Sequence, residues 1–124
     1  MMTANGDDMV VLEGIRRSLR DGGRLALSAF SSYFAVRYHE GAAFDAGSGV
    51  SHEVTEVKDE SGRGTQVDLW TGCYTPRELR LLMDRVGMTV DHVYSVAPGE
   101  YLPVEPTVET PEFLLVASAT PFRR

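Results

Sequence analysis

The chain has 124 residues, of which 43% are hydrophobic and 24% are charged, a composition typical of one soluble globular domain. Eighteen acidic residues against twelve basic ones leave a formal net charge of −6. This charge argues against nucleic acid or an anionic membrane as the main partner, because both attract clustered lysine and arginine. The single cysteine excludes an intrachain disulfide. The sequence shows no signal peptide and no apolar run near the roughly 20 residues that a membrane-spanning helix needs. Together these features predict a cytoplasmic location.

Residues 8–30 predict a helix followed at once by a buried strand. Apolar residues spaced three and four apart form one stripe behind an Asp7 or Asp8 cap, and Gly22-Gly23 ends the helix. The predicted stripe consists of Val11, Leu12, Ile15 and Leu19, and the predicted water-facing side chains are Glu13, Arg16, Arg17 and Arg20. Apolar residues at both odd and even positions of 24–30 predict a central strand covered on both faces.

Residues 31–51 keep neither the period of a strand nor that of a helix. A connection of this length in a compact domain is often functional, so we interpret it as a lid or pocket wall. A short helix is expected around Tyr33 to His39.

Residues 52–71 predict an antiparallel hairpin at the edge of the domain. Its strands are His52–Lys58 and Thr65–Thr71, and its turn lies around 59–62. Its acidic residues are most simply interpreted as a solvated face; they are Glu53, Glu56, Asp59 and Glu60.

Residues 75–120 predict a helix and the last two strands. Thr75, Pro76 and Glu78 match a capping box with proline in the first turn, and Gly87 ends the helix. The helix stripe is Leu79, Leu82, Met83 and Val86, and the strands are 88–96 and 112–119.

This order of elements resembles the C-terminal half of a class I S-adenosyl-L-methionine (SAM)-dependent methyltransferase. The run Leu19-Arg20-Asp21-Gly22-Gly23-Arg24-Leu25 is similar to the turn into the fifth strand of that family, with Asp21 where proline is usual. The segments 74–79 and 87–88 are similar to its late helix and exit. The resemblance, which covers roughly 8–119, implies an α/β fold with a mixed Rossmann-like sheet, a reversed terminal β-hairpin and an inserted antiparallel hairpin.

The family's cofactor loop and ribose-binding acid belong to a first half that this sequence does not contain. We therefore expect that Met1 marks a half-gene, an internal start or a cropped chain, and that this chain alone does not bind SAM. The run Asp45-Ala46-Gly47-Ser48-Gly49 superficially matches an acidic–x–G–x–G loop, but it lacks a buried strand before it and a helix after it. We interpret it as a plain glycine turn rather than a cofactor loop.

The candidate substrate-binding residues are mostly aromatic. They are Phe30, Tyr33, Tyr38, His39, Trp70 and Tyr74, with Phe34 as a further possible wall. Phe30 is placed at a strand's carboxyl end, where open α/β sheets bind ligands, while ordinary packing under a long loop is the alternative for the other aromatic residues. His39 and His52 are each either a general base or a surface histidine, and Cys73 is either a nucleophile or, more simply, a buried thiol. His92 is interpreted as structural.

The resemblance implies transfer of a methyl group from SAM to a small-molecule acceptor, with this half supplying the acceptor pocket. It carries over no catalytic residue and no metal. The alternative is a non-catalytic half-domain, because an unpaired edge along 24–30 favours self-association or docking to a complementing N-terminal half.

Overall fold

The computed structural model describes residues 7–38 and 43–121. This part of the chain contains three helices and six strands. In chain order they are α1 (Asp7–Ser18), β1 (Arg24–Ser31), α2 (Ser32–Tyr38), β2 (Ala43–Asp45), β3 (Val50–Lys58), β4 (Gly64–Tyr74), α3 (Pro76–Arg85), β5 (Met88–Val96) and β6 (Glu112–Ala119).

The strands form one mixed sheet in the order β2-β3-β4-β1-β6-β5. Every neighbouring pair is antiparallel except β1 and β4, which run parallel. β6 lies between β1 and β5, so the chain ends in a reversed hairpin, and β3–β4 is the inserted hairpin. The predicted α/β class and mixed sheet are confirmed.

The core lies on the face of the sheet that α1 and α3 cover. Its fully buried members include Leu12 of α1, Leu79 and Met83 of α3, and Phe113 and Leu115 of β6. The predicted capping box of α3 is present. The Glu78 amide donates to the Thr75 hydroxyl over 3.2 Å, and the Thr75 amide donates to the Glu78 carboxylate over 2.9 Å.

The prediction that β1 is covered on both faces is wrong for the residues that the structure describes. Leu25, Leu27 and Ala29 turn toward the helices, whereas Ala26 and Ser28 are exposed on the opposite face. Small side chains at alternate positions let the strand tolerate water on that face.

Arg16 was predicted to face water, and this prediction is wrong. The residue is buried, with 7% of its surface exposed. Its burial is possible because the guanidinium donates hydrogen bonds to three main-chain oxygens. It reaches Leu19 O at 3.2 Å, Gly87 O at 3.2 Å and Thr120 O at 2.8 Å. One side chain thus joins the end of α1 to the start of β5 and the end of β6, aided by the left-handed backbone of Gly87 (φ 80°) that follows α3.

Residues 31–51 are more regular than the sequence predicted. The expected short helix is present as α2, and the structure adds the edge strand β2, which pairs with β3. The predicted hairpin is two to three residues longer on the side nearest the main sheet, and β4 continues into that sheet beside β1. Among residues 7–38 and 43–121, no helix has both the length and the apolar character needed to cross a bilayer.

Candidate functional site

A cavity of about 200 Å³ lies where the parallel strands β1 and β4 end. Phe30 pairs with Cys73 and Ser31 pairs with Tyr74, so both strands finish at the same edge. Carboxyl ends of parallel strands are where open α/β sheets bind ligands. We call this cavity the strand-end pocket; its described lining residues are Phe30, Ser31, Phe34, Ala35, Ser51, Glu53, Leu69, Thr71, Cys73 and Pro111.

The turn from β1 into α2 positions one wall of the strand-end pocket. The buried Ser31 hydroxyl accepts a hydrogen bond from the Phe34 amide over 3.3 Å, which satisfies a free donor in the first turn of the helix. The Ser31 amide donates to Pro111 O over 2.9 Å. These two bonds fix Phe30, Phe34 and Pro111 around the same space.

The base of the β3–β4 hairpin forms the facing wall. Ser51 lies opposite Thr71 and Glu53 lies opposite Leu69. Because alternate side chains of a strand share a face, these four residues lie on one face of the hairpin, and all four line the pocket. The amide of Cys73 donates to Gly49 O over 2.9 Å and holds this base against the preceding turn.

The strand-end pocket is largely apolar, with hydroxyls and one carboxylate. Among the lining residues that the structure describes, Glu53 is the one charged side chain, and it is half-buried. This position corrects the interpretation of Glu53 as part of a solvated acidic face. Glu56 lies three positions along β3 and is exposed on the other side of the hairpin, and Asp59 accepts hydrogen bonds from its own turn.

Cys73 contributes volume rather than reactivity to the pocket. Its thiol is buried, with 5% of the residue exposed, and it lies 3.6 Å from Thr71 O. Burial raises the pKa of the Cys73 thiol, which keeps it protonated at neutral pH. The geometry favours the buried-thiol alternative over the nucleophile.

Trp70 and His52 occupy the opposite face of the same hairpin. They border a more open cavity of about 400 Å³ together with Ala43, Phe44, Asp45, Ser48 and Val50. The two rings stack with centroids 3.8 Å apart, and His52 Nε2 lies 2.8 Å from Asp68 Oδ1. The hairpin backbone therefore separates Trp70 and His52 from the strand-end pocket.

Tyr33 and Tyr38 lie on the outer side of α2. Tyr33 borders a third, open cavity of about 440 Å³ with Val36, Arg37 and Val108 among its neighbours. The Tyr38 hydroxyl donates to the Glu109 carboxylate, and this bond raises the pKa of Tyr38 and lowers the pKa of Glu109. Arg37 also contacts Glu109, at 2.8 Å, so this cluster ties α2 to the loop before β6.

Tyr74 is a member of the core. It is 4% exposed, and its hydroxyl donates to Asp8 Oδ1 of α1 over 2.8 Å. Burial and this bond both raise the pKa of Tyr74. His39 lies outside the described residues. Of the predicted substrate-binding set, the structure brings Phe30 to the strand-end pocket and places Tyr33, Tyr38, Trp70 and Tyr74 elsewhere.

Sequence reasoning did not propose Ser51, Glu53, Leu69 or Thr71 as site residues. Strand alternation within the predicted hairpin was the signal that could have grouped them, since it assigns these residues to one face. Without the parallel pairing of Phe30 with Cys73, however, nothing indicated which face meets the end of β1.

The fold is shared with solved SAM-dependent methyltransferases. The chain is similar to the CcbJ methyltransferase from Streptomyces caelestis, with a TM-score of 0.73 at 12% identity over 96% of this chain and 52% of the other. It is also similar to an S-adenosylmethionine-dependent methyltransferase from Clostridium acetobutylicum (TM-score 0.66, 10% identity, 91% and 51%). A third neighbour is a SAM-dependent methyltransferase from Methanosarcina mazei (TM-score 0.53, 15% identity, 95% and 53%).

The chain spans about half the length of these solved structures. No protein-family model matches the sequence, and no curated protein matches it. The similarity therefore defines a methyltransferase-type fold.

The turn at Asp45–Gly49 does not have the arrangement of a SAM-binding glycine loop. The segment Asp45–Gly49 joins β2 to β3 as a hairpin turn, so no helix begins behind it. The Asp45 carboxylate accepts from the Ser48 amide at 3.1 Å, from the Ser48 hydroxyl and from the Gly47 amide at 3.4 Å. These bonds lower the pKa of Asp45 and direct its oxygens into its own turn. In the same part of the chain, no group of three histidine, cysteine or acidic side chains is placed to hold a metal ion.

Proposed function

We propose that this chain is the acceptor-side half of a SAM-dependent methyltransferase and that its strand-end pocket binds a small-molecule methyl acceptor. The observation that carries the proposal is the apolar cavity at the joint carboxyl end of β1 and β4. The fold shared with three SAM-dependent methyltransferases supports it.

The pocket residues have distinct parts in this proposal. Phe30, Phe34 and Leu69 supply the apolar walls that remove an acceptor ring from water. The hydroxyls of Ser51 and Thr71 lie on one face of the hairpin and are suited to orient a polar group. Binding and alignment, rather than acid–base chemistry, are what such a half contributes to group transfer.

In this proposal, a separate cofactor-binding half joins this chain along one edge of β1. In an antiparallel pair, every second residue of a strand directs its main-chain N–H and C=O to the partner strand, and the residues between direct theirs to the opposite edge. In β1, the Ser31 amide donates to Pro111 O, on the side of β6. By that alternation Ala26 and Ser28 direct their main-chain groups to the other edge of β1. β4 reaches that edge only at Phe30 and Ser31, and no other strand among the described residues pairs there.

The same edge favours a second candidate function, a non-catalytic module that self-associates or docks to a partner chain. Unpaired main-chain groups in the middle of a sheet readily accept another strand. Light scattering on the purified chain tests self-association directly. A monomer at micromolar concentrations would contradict pairing between copies and leave docking to a different chain.

The proposed acceptor site is tested with benzyl alcohol as a neutral one-ring probe in an NMR titration. We expect chemical-shift changes at the amides of Phe34, Leu69 and Thr71, and we expect Leu69→Trp to abolish them by filling the cavity. Leu81→Trp is the matched control, because Leu81 is 64% exposed on α3. Shifts that survive Leu69→Trp, or no shifts in the unmodified chain, would refute the proposed site.

Calorimetry with S-adenosylhomocysteine tests the proposed division between the two halves. We expect no binding up to millimolar ligand, because Asp45 and its turn do not offer a cofactor site. Micromolar binding would show that this chain builds such a site by itself, and the half-domain proposal would fail.

A further inference from the structure

We propose that the strand-end pocket binds a single-ring acceptor that carries a hydroxyl group, and that the hydroxyls of Ser51 and Thr71 are the specificity-determining groups. This inference rests on the proposed acceptor site and adds the chemical class of its ligand. It depends on two features of the pocket: a cross-strand pair of hydroxyls that no side chain or main-chain group engages, and the limited volume in front of that pair.

The main-chain groups of Ser51 and Thr71 are already bonded within the β3–β4 hairpin. The two residues lie directly opposite each other. The Cys73 amide donates to Gly49 O, and bonded pairs recur at every second residue of an antiparallel ladder, so Ser51 and Thr71 exchange their main-chain hydrogen bonds. The polar groups that this pair offers to a ligand are therefore its two side-chain hydroxyls.

The hydroxyls of Ser51 and Thr71 differ from the other hydroxyl of the pocket. Ser31 accepts a hydrogen bond from the Phe34 amide. Within residues 7–38 and 43–121, no hydrogen bond engages the hydroxyl of Ser51 or Thr71, although Ser51 is only 3% exposed and both residues line the cavity. Buried polar groups in folded proteins are nearly always hydrogen-bonded, so a polar group of a bound molecule would complete this pair.

A hydroxyl is the ligand group that matches this pair. Each hydroxyl can donate one hydrogen bond and also accept, so a single ligand hydroxyl can accept from Ser51 and donate to Thr71, or the reverse. A hydrocarbon ligand would bond to neither and would leave the Ser51 hydroxyl buried without a partner, which is unfavourable. The pair therefore favours an alcohol over a hydrocarbon of the same shape.

The size of the pocket limits the acceptor to one ring. Its volume is about 200 Å³. An apolar protein cavity of about 150 Å³ holds a benzene molecule. The pocket therefore has room for a six-membered ring and a short hydroxyl-bearing substituent, whereas the second ring of a fused acceptor would extend beyond Phe34 and Leu69 into solvent.

The test measures binding of benzyl alcohol, toluene and naphthylmethanol by NMR titration. Thr71→Val and Ser51→Ala remove one hydroxyl each, and we expect each to weaken benzyl alcohol about five- to tenfold while leaving toluene unchanged. Thr65→Val is the matched control, because Thr65 is exposed on the same strand and does not line the pocket, and it is expected to preserve both affinities. Naphthylmethanol is expected to bind no more tightly than benzyl alcohol.

The outcomes separate this inference from the proposed site. If both hydroxyl-removing variants bind benzyl alcohol as tightly as the unmodified chain, the hydroxyl pair does not select the ligand, although shifts at Phe34 and Leu69 would still demonstrate the site. Burial of a second ring would tighten binding by more than about tenfold, so such a gain for naphthylmethanol overturns the single-ring limit. Failure of all three probes to perturb Phe34 and Leu69 overturns both the class and the site.

The unmodified chain gives a second measurement if the variants do not fold. Benzyl alcohol is expected to bind at least as tightly as toluene, because its hydroxyl gains partners in the pocket. Toluene binding about tenfold or more tightly would mean that the alcohol is buried without a partner, and the role of Ser51 and Thr71 would be refuted.

Discussion

Arg16 is expected to be the most important polar side chain for stability among the described residues of α1. Its guanidinium spans three segments that are distant in sequence, bonding to Leu19 O, Gly87 O and Thr120 O. It also contacts the Asp21 carboxylate at 3.1 Å, but that carboxylate is half-exposed and contributes little. The perturbation is Arg16→Met, which keeps most of the apolar stem and removes every donor.

The expected loss follows from the number of carbonyls left without a charged donor. Leaving a buried carbonyl without its hydrogen-bond donor costs about 1–3 kcal/mol, and of the three carbonyls Gly87 O keeps a second donor, the Thr120 amide. The Arg16 side chain is 8% exposed, so little solvent is present to replace it. With two carbonyls left without a donor and the bonds of a charged group lost, we expect Arg16→Met to lower the free energy of unfolding by about 3–5 kcal/mol.

Urea unfolding followed by circular dichroism measures this loss, with Arg17→Met as the control. Arg17 is the next residue along α1 and is exposed, so its variant should stay within about 0.5 kcal/mol of the unmodified chain. With a typical dependence of about 1.5 kcal/mol per molar urea, the Arg16 midpoint should fall by about 2–3 M. A loss below about 1 kcal/mol, or equal losses in both variants, would refute the role of Arg16 as a link between segments.

The remaining predictions concern the α3 cap and the buried thiol. Thr75→Ala removes the hydroxyl that accepts from the Glu78 amide and should cost about 1 kcal/mol in urea unfolding; a loss below about 0.3 kcal/mol would contradict the importance of this cap. Because burial raises the pKa of the Cys73 thiol, the folded chain should react slowly with iodoacetamide at pH 8 and rapidly in urea. The same shift makes the unfolded state release its thiol proton first, so stability should fall as the pH rises above about 8.5, the ordinary thiol pKa. Cys73→Ala should flatten this fall, and an unchanged slope would contradict the shift as its cause.

Local signals predicted the helices and the sheet class well. The capping box of α3 uses residues three positions apart, and the stripe of α1 repeats every three to four residues, so both are visible in a short window. The two terminal strands are likewise marked by apolar runs between turns. The resemblance to a methyltransferase half rested on these local elements and their order, and the solved neighbours confirm the fold.

Long-range pairing explains what the sequence did not predict. Arg16 has the helical position of a water-facing residue, and its burial depends on carbonyls 71 and 104 residues away. The sequence groups Tyr74 with the aromatic candidates for a pocket, but its pairing with Ser31 places it under α1. Neither contact leaves a periodic signal in the sequence.

The pocket depends on the same long-range geometry, and this is why its chemistry differs from the aromatic site that the sequence predicted. In a sequence, Tyr, Trp and His are prominent candidates for a binding site because their side chains can both stack and form hydrogen bonds. The parallel pairing of Phe30 with Cys73 instead brings the plainer face of the hairpin to the end of β1, with Leu69, Thr71 and Glu53. An apolar cavity of limited volume favours a ligand by its size, whereas an aromatic cage would favour it by stacking. The benzyl alcohol titration therefore tests the register of the sheet as well as the site, since a shift of one residue would turn Leu69 away from the pocket and bring Trp70 toward it.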